Sequence, residues 1–278
     1  MNNFIGIEYG RAATAKIVMD GPALGPRAVR DMFPDANWTM VTADPVDAQT
    51  CMADRFGDAF AVHQKTYAAT PRDRHILIGG DHSVNFGHFA AIADQFGDTD
   101  VCLVYIDAHL DIHTPQSSQS QASGAPHGTN VRALLGDGDA RWLGMQKRCP
   151  AVKPENVFYL ATRSYEPAEI ECVRDNNIWM RTTEQLQTPA DWAAAVAEIR
   201  ERIGNRPFVV SFDFDAIDPR YFTDVLVPEP HGISVDAALY LTRSFRDAHS
   251  FEFVEYAPRG DKNTAELVKK LVGIVANQ

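Results

Sequence analysis

The chain has 278 residues, 45% of them hydrophobic and 10% aromatic, with a formal net charge of -11 and a pI near 5.2; it can bury a large core, and it lacks the clustered Lys and Arg that a nucleic-acid partner requires. No apolar run approaches the ~18 residues of a membrane span, and the start MNNFIGIEYG has no basic segment followed by a long apolar one, so a cytoplasmic protein without a membrane partner is expected. Cys51, Cys102, Cys149 and Cys172 are widely spaced with no C-x-x-C pair, which argues against both a disulfide framework and a structural zinc site.

Strand-like runs recur at 3–9, 38–43, 75–79, 101–107, 156–162, 178–182, 207–215 and 251–257. Helical patterns lie between them at 26–33, 51–69, 85–96, 167–175, 190–204, 235–247 and 264–276. In 190–204 the residues Trp192, Val196, Ile199 and Ile203 recur at helical spacing and Gly204 supplies the stop. Strands alternating with helices predict an α/β protein whose mostly parallel sheet is covered on both faces. A single domain over 1–278 is expected, because nothing in the chain reads as an interdomain linker. In such a sheet, ligands bind beyond the carboxyl ends of the strands.

Two loops break the rhythm: 114–128, which holds QSSQSQASG, and 220–232, which holds VPEPHG. Loops of this length are either tolerated surface insertions or functional segments. For the Ser/Gln tract both readings stand, an insertion or a wall of the pocket. Each loop follows a cluster of acids.

The stretch 101–113, VCLVYIDAHLDIH, passes from a buried apolar run into carboxylates and imidazoles. Period-two alternation predicts that Asp107, His109 and Asp111 project together while Ala108, Leu110 and Ile112 turn away. Burying such groups side by side is costly unless a cation compensates. Two other strand ends add donors: HILIGGDHS supplies His82, and SFDFDAIDP supplies Asp213 and Asp215. Two His and four Asp exceed the needs of a single divalent ion, which predicts a centre of two ions sharing bridging carboxylates. Oxygen-rich mixed ligation suits Mn²⁺ better than zinc, with Ni²⁺, Co²⁺ and Fe²⁺ as alternatives. Asp218 reads as the cap of the turn before Pro219, and Asp81 as a turn residue or a support for the ligands rather than a ligand itself.

GGDHS, DAHLDIH and SFDFDAIDP, in this order and at these separations, closely resemble the ureohydrolases: arginase, agmatinase, guanidinobutyrase and formimidoylglutamase. The resemblance runs from GPRAVR to FEFVEYAPRGDKNTAELVKKL. It implies a three-layer α/β/α fold with an eight-stranded sheet, in agreement with the eight strand-like runs. It also implies two Mn²⁺ ions. His82, Asp107, Asp111 and Asp213 would hold one ion; Asp107, His109, Asp213 and Asp215 would hold the other. The resemblance further makes His127 a proton shuttle, Glu255 the acid that grips the substrate's guanidinium, and Asp215 a support for the tetrahedral intermediate. Glu255 is also placed near the end of the last strand, on the face of Phe251 and Phe253.

Around the pocket the sequence looks most like arginase, with departures. His113 stands in place of an Asn and Ala125 replaces another, while Ser123 is kept. Ser164 stands where an arginase has the Asp that recognises an α-amino group, and FTDVLVPEPHG replaces the usual G-T-G-x-P. His113, Ser123 and Ser164 are the candidate contacts to the substrate tail, and His231 is a further candidate. The expected reaction is hydrolysis of a small guanidino compound, arginine or a derivative such as N-hydroxyarginine, to urea or hydroxyurea and an amine. Agmatinase, guanidinobutyrase or formimidoylglutamase activity is the alternative; a non-catalytic metabolite-binding member is the remote one. The family also implies assembly into homo-oligomers.

Overall fold

The computed structural model describes residues 3–12 and 21–277. Eight strands, β1 (Asn3–Glu8), β2 (Asn37–Thr42), β3 (His75–Ile78), β4 (Cys102–Ile106), β5 (Val157–Thr162), β6 (Trp179–Thr182), β7 (Phe208–Asp213) and β8 (Ser250–Val254), form one sheet in the order β2-β1-β3-β8-β7-β4-β5-β6. Every pairing is parallel. Parallel strands buried on both faces need apolar residues at every position, and HILI of β3 and CLVYI of β4 are buried throughout. On β4, Cys102, Val104 and Ile106 enter one core while Leu103 and Tyr105 enter the other. The edge strand β2, NWTMVT, is exposed at Asn37, Thr39 and Thr42, and these polar residues suit that place.

The helices are α1 (Gly25–Met32), α2 (Ala48–Ala53), α3 (Arg55–Ala69), α4 (Asn85–Phe96), α5 (Asn130–Leu134), α6 (Ala140–Met145), α7 (Pro167–Asp175), α8 (Pro189–Ile203), α9 (Val235–Ser244) and α10 (Lys262–Ala276). One core packs Val29 of α1, Ile199 of α8, Leu241 of α9 and Leu271 of α10 against the sheet. The other packs Val62 of α3, Phe89 of α4, Val131 of α5, Trp142 of α6 and Val173 of α7. Three layers, α/β/α, follow from these two buried faces.

The single helix expected over 51–69 is two. Asp54 leaves helical geometry at φ -147° and its Oδ1 accepts from Gly57 N at 2.9 Å, capping α3. The short helices α5 and α6 were not expected, since five or six residues are too few to show a periodicity. Among the strands that stop earlier than the runs suggest, β4, β7 and β8 end at Ile106, Asp213 and Val254 instead of 107, 215 and 257.

At the other end of β3 and β8 lies a buried polar cluster. His75 Nε2 is 2.6 Å from His88 Nε2, His88 Nδ1 bonds Glu252, and Asn85 Nδ2 donates to Glu252 Oε2 at 2.6 Å. These partners satisfy groups that would otherwise be costly inside the core. All four cysteines are free. Among the described residues no helix is long and apolar enough to cross a membrane.

Candidate active site

Five neighbouring strands, β3-β8-β7-β4-β5, deliver their carboxyl ends to one place. After β3 come Gly79 and Gly80, and then Asp81, whose Oδ1 accepts from Ser83 N at 3.1 Å and so starts the turn that carries His82. The His82 ring stacks on Tyr105 of β4, with centroids 4.4 Å apart. Its Nε2 is 2.8 Å from Ser211 Oγ of β7. This fixes Nδ1 toward three carboxylate oxygens: Asp107 Oδ2 at 2.9 Å, Asp213 Oδ2 at 3.1 Å and Asp111 Oδ2 at 3.4 Å.

The two acid motifs use the same local device. Asp107 Oδ1 accepts from His109 N at 2.7 Å, and Asp213 Oδ1 accepts from Asp215 N at 2.8 Å. Each Asp thus closes a turn on its own backbone with one oxygen and leaves the other free. This corrects the alternation expected for 107–111. β4 ends at Ile106, and Asp111 has a φ of +50°, so the three residues converge through a tight turn rather than a pleat. Tyr105 Oη and Asn130 Nδ2 donate to Asp111 Oδ2 at 2.8 and 3.3 Å. His109 Nδ1 lies 3.1 Å from Asp215 Oδ2 and 3.4 Å from Asp107 Oδ1.

Two sets of donors, His82 with Asp107 and Asp111, and Asp107 with His109 and Asp215, each have ligand atoms within 4.8 Å of one another. Asp107 belongs to both sets. Among the described residues, His82 Nδ1 and Asp107 Oδ2 are buried with no hydrogen-bond partner of good geometry, although they face each other at 2.9 Å. Burial, with Asp215 and Asp107 close by, holds the Asp213 carboxyl well above its usual range. Burial and Asp107 push Asp111 up to about 7. His82 is raised instead, since Asp107 and Asp213 outweigh the opposing effect of its burial. So much negative charge, with unused lone pairs and no Lys or Arg among the described residues that line the cavity, fits divalent cations, which Asp107, common to both sets, would help to hold.

Glu255 reaches the site by a different route from the one expected. β8 ends at Val254, and a left-handed turn at Glu255, φ +64°, breaks the alternation with Phe251 and Phe253. Glu255 N donates to Gly80 O at 2.7 Å, and Glu255 Oε1 accepts from His82 N at 2.9 Å. Burial, followed by Asp213 and Asp81, raises this carboxyl well above its ordinary value. His127 sits on the turn Pro126–Thr129, its Nδ1 2.6 Å from the carbonyl oxygen of Ala12.

These groups line a cavity of about 210 Å³ with His113, Ser123 and Ser164 on its walls. His113 Nδ1 is 3.0 Å from Ser117 Oγ. Its Nε2 lies 3.4 Å from Glu169 Oε2 and 3.7 Å from Glu166 Oε1, and these acids raise His113 against the lowering effect of burial. Ala122 and Ser123 of the polar tract face the cavity, which favours the pocket-wall reading over a bare surface insertion. His231 is exposed, and the cavity wall does not include it. Asp218 is a turn residue as expected, accepting from Arg220 N at 2.9 Å and Gly232 N at 3.0 Å.

The family model described as Arginase family matches residues 4–276. The chain belongs to the arginase family. It is 30% identical over 214 residues to the arginase of Entamoeba histolytica, covering 72% of this chain and 69% of that one, and 28% identical over 216 residues to the arginase of Bacillus subtilis, covering 71% and 68%. The crystal structure of the Entamoeba histolytica arginase in complex with L-ornithine superposes with a TM-score of 0.85 at 21% identity, covering 100% of both chains. Formimidoylglutamase from Bacillus subtilis superposes at 0.76, with 16% identity, covering 100% of this chain and 87% of that one. This arginase-family chain is therefore a metal-dependent amidinohydrolase of the ureohydrolase type, in a family whose centres are binuclear.

Sequence reasoning on this arginase-family chain missed four residues of the pocket. Tyr165, Glu166, Glu169 and Val227 line it, and Glu229 Oε1 stands 3.6 Å from His109 Nε2. Ser164 does reach the wall. Glu166, two residues on, places an acid on the same wall. The string SYEPAE carried the sign, a pair of acids three residues apart at the start of a helix.

Proposed function

We propose that this protein hydrolyses the guanidino group of an arginine-sized substrate, arginine itself or a derivative such as N-hydroxyarginine, releasing urea or hydroxyurea and an amine, with two Mn²⁺ ions held by His82, Asp107, Asp111 and Asp213 and by Asp107, His109, Asp213 and Asp215. The observation that carries this reading is the buried Glu255, whose Oε1 is tied to His82 N at 2.9 Å on the wall of the cavity that holds both donor sets. When bound, two divalent cations supply a water of lowered pKa and neutralise charge that develops on the reacting group. The oxygen-rich donor set favours Mn²⁺.

Glu255 binds and orients. With Oε1 accepting from His82 N, its Oε2 is free to accept from a guanidinium N–H, and the planar cation offsets a carboxylate that burial otherwise disfavours. Asp215, held by Ala108 N through Oδ1 at 3.3 Å, keeps Oδ2 toward the reacting group and steadies its tetrahedral form.

His127 moves the proton. Its Nδ1–H donates to the Ala12 carbonyl, which leaves Nε2 as the titrating atom. Burial pushes the ring down to about 4, so it is neutral at pH 7 and begins as an acceptor. It takes a proton from the attacking water at Nε2 and returns it there to the departing nitrogen.

The test is product analysis of Mn²⁺-loaded protein over arginine, N-hydroxyarginine and simple alkylguanidines, with a formimidoyl compound alongside. Urea or hydroxyurea in step with amine is expected. Formamide from the formimidoyl compound alone, or no product with Mn²⁺, Ni²⁺ or Co²⁺, overturns the reading.

A further inference from the structure

The loop 220–232, which holds FTDVLVPEPHG, returns to the site at a point that the reaction above does not use. Glu229 Oε1 lies 3.6 Å from His109 Nε2. The two nitrogens of that ring face different groups. Nδ1 is turned to Asp215 Oδ2 at 3.1 Å and Asp107 Oδ1 at 3.4 Å, the two acids that share the second donor set with it. A neutral histidine that ligates through Nδ1 carries its proton on Nε2. That is the atom Glu229 faces.

Glu229 is held there from two sides. Arg163 Nη2 donates to the Glu229 carbonyl oxygen at 2.8 Å, and Arg163 Nε to that of Pro230 at 2.9 Å. The Ser164 hydroxyl donates to the Glu229 carboxylate. The same two residues hold the turns that carry the donors. Arg163 Nη2 also donates to Asp215 O at 2.7 Å, and the backbone N–H groups of Arg163 and Ser164 both donate at 2.9 Å to the carbonyl oxygen of Ala108, which sits between Asp107 and His109. Two residues just past β5 thus fix both the donor turns and the acid behind the His109 ring. A stray surface acid has no such anchoring: the Glu229 side chain is 28% exposed, yet its backbone and its carboxylate are both engaged. The 3.6 Å separation from Nε2 is just beyond hydrogen-bond length, a gap that a small turn of the ring closes.

We propose that Glu229 is a positioning residue of the metal centre: it accepts from His109 Nε2–H, fixes the tautomer that leaves Nδ1 free to ligate, and is itself held by Ser164. This rests on the two-ion reading above. A carboxylate behind a ligating imidazole sets the orientation of the ring and raises the basicity of the ligating nitrogen. Ser164 then serves the metal through Glu229 rather than the substrate tail, although it reaches the cavity wall.

The experiment is a calorimetric Mn²⁺ titration of EDTA-stripped protein, unmodified and as Glu229→Ala, Glu229→Gln and Ser164→Ala, with thermal melts of each in EDTA. Glu229→Ala is expected to weaken one of the two ions by about 10- to 100-fold and to leave the other unchanged. Glu229→Gln, whose Oε1 still accepts from Nε2–H, should recover most of that loss. Ser164→Ala should weaken the same ion by a smaller factor, and the melts in EDTA should coincide. Two ions bound as tightly in Glu229→Ala as in the unmodified protein overturn the proposal, as does equal weakening of both ions with a lowered melt in EDTA, the mark of a general loosening. Glu229→Gln no better than Glu229→Ala leaves only the charge of Glu229 at work and overturns its hold on the tautomer. Ser164→Ala with both ions bound normally and a raised KM returns Ser164 to the substrate and overturns its part. Fewer than two ions on the unmodified protein overturns the two-ion reading itself.

Discussion

His127 Nδ1 and the carbonyl oxygen of Ala12 are 2.6 Å apart although 115 residues separate them in the chain. Ala12 is itself pinned, its N–H donating to Asp81 Oδ2 at 2.8 Å. Asp81, one residue before His82, therefore also anchors the carbonyl that sets the tautomer of His127.

Replacing His127 with Asn removes the proton shuttle and leaves the donor sets in place. The expected loss in kcat is about 10²- to 10⁴-fold, with metal content unchanged. Steady-state kinetics alongside metal analysis checks this; near-normal kcat would assign the proton transfer to another group.

Asp213 sets function against stability. Its carboxyl is buried beside Asp215 and Asp107 and held well above its usual range. Asp213→Asn relieves that repulsion, and Asn Oδ1 still accepts from Asp215 N. In EDTA the variant should melt higher than the unmodified protein, by about 2–4 °C for each kcal/mol relieved. With excess Mn²⁺ the order should reverse, because binding to the native state adds stability only where the site is whole. Thermal melts in the two buffers check both signs.

His63 predicts acid sensitivity. It is fully buried, neither ring nitrogen has a partner among the described residues, and its edge packs on Trp142 at 4.3 Å. Burial pushes it down to about 3 from 6.5, so the unfolded chain takes up the proton first. Its contribution is complete above pH 6.5 and is lost as pH falls toward 3, at about 1.4 kcal/mol per pH unit. His63→Phe should therefore lose about 2–3 kcal/mol less between pH 6.5 and 4.5, as read by urea unfolding at each pH. Equal losses would place the sensitivity elsewhere.

Gly80 is the tightest joint of the site. A Cβ there would lie 1.6 Å from Tyr9 O, and Gly80 O accepts from Glu255 N. Gly80→Ala should cost about 1–3 kcal/mol and raise KM by displacing Glu255. Gly144→Ala, in α6 with nothing within 4 Å of the added carbon, should be neutral or stabilising. Paired unfolding curves decide it.

The donors were legible because each motif is local: Asp107 and His109, or Asp213 and Asp215, build their geometry over two residues. The eight strands were legible because parallel strands buried on both faces must be apolar throughout. The route to the site was not. Positive φ at Asp111 and Glu255 depends on contacts with Asn130 and Gly80, which no local pattern shows. Glu229 was missed for a similar reason. It lies in a loop without periodicity, whose path is set by Arg163 donating to the Glu229 and Pro230 carbonyls.

The measurement that bears most directly on the central claim is the number of Mn²⁺ ions bound per chain, by calorimetric titration of EDTA-stripped protein followed by elemental analysis. A bridged centre built on Asp107 predicts two per chain, falling to one or none in Asp213→Asn. A single ion in the unmodified protein, or two undisturbed ions in Asp213→Asn, would contradict it.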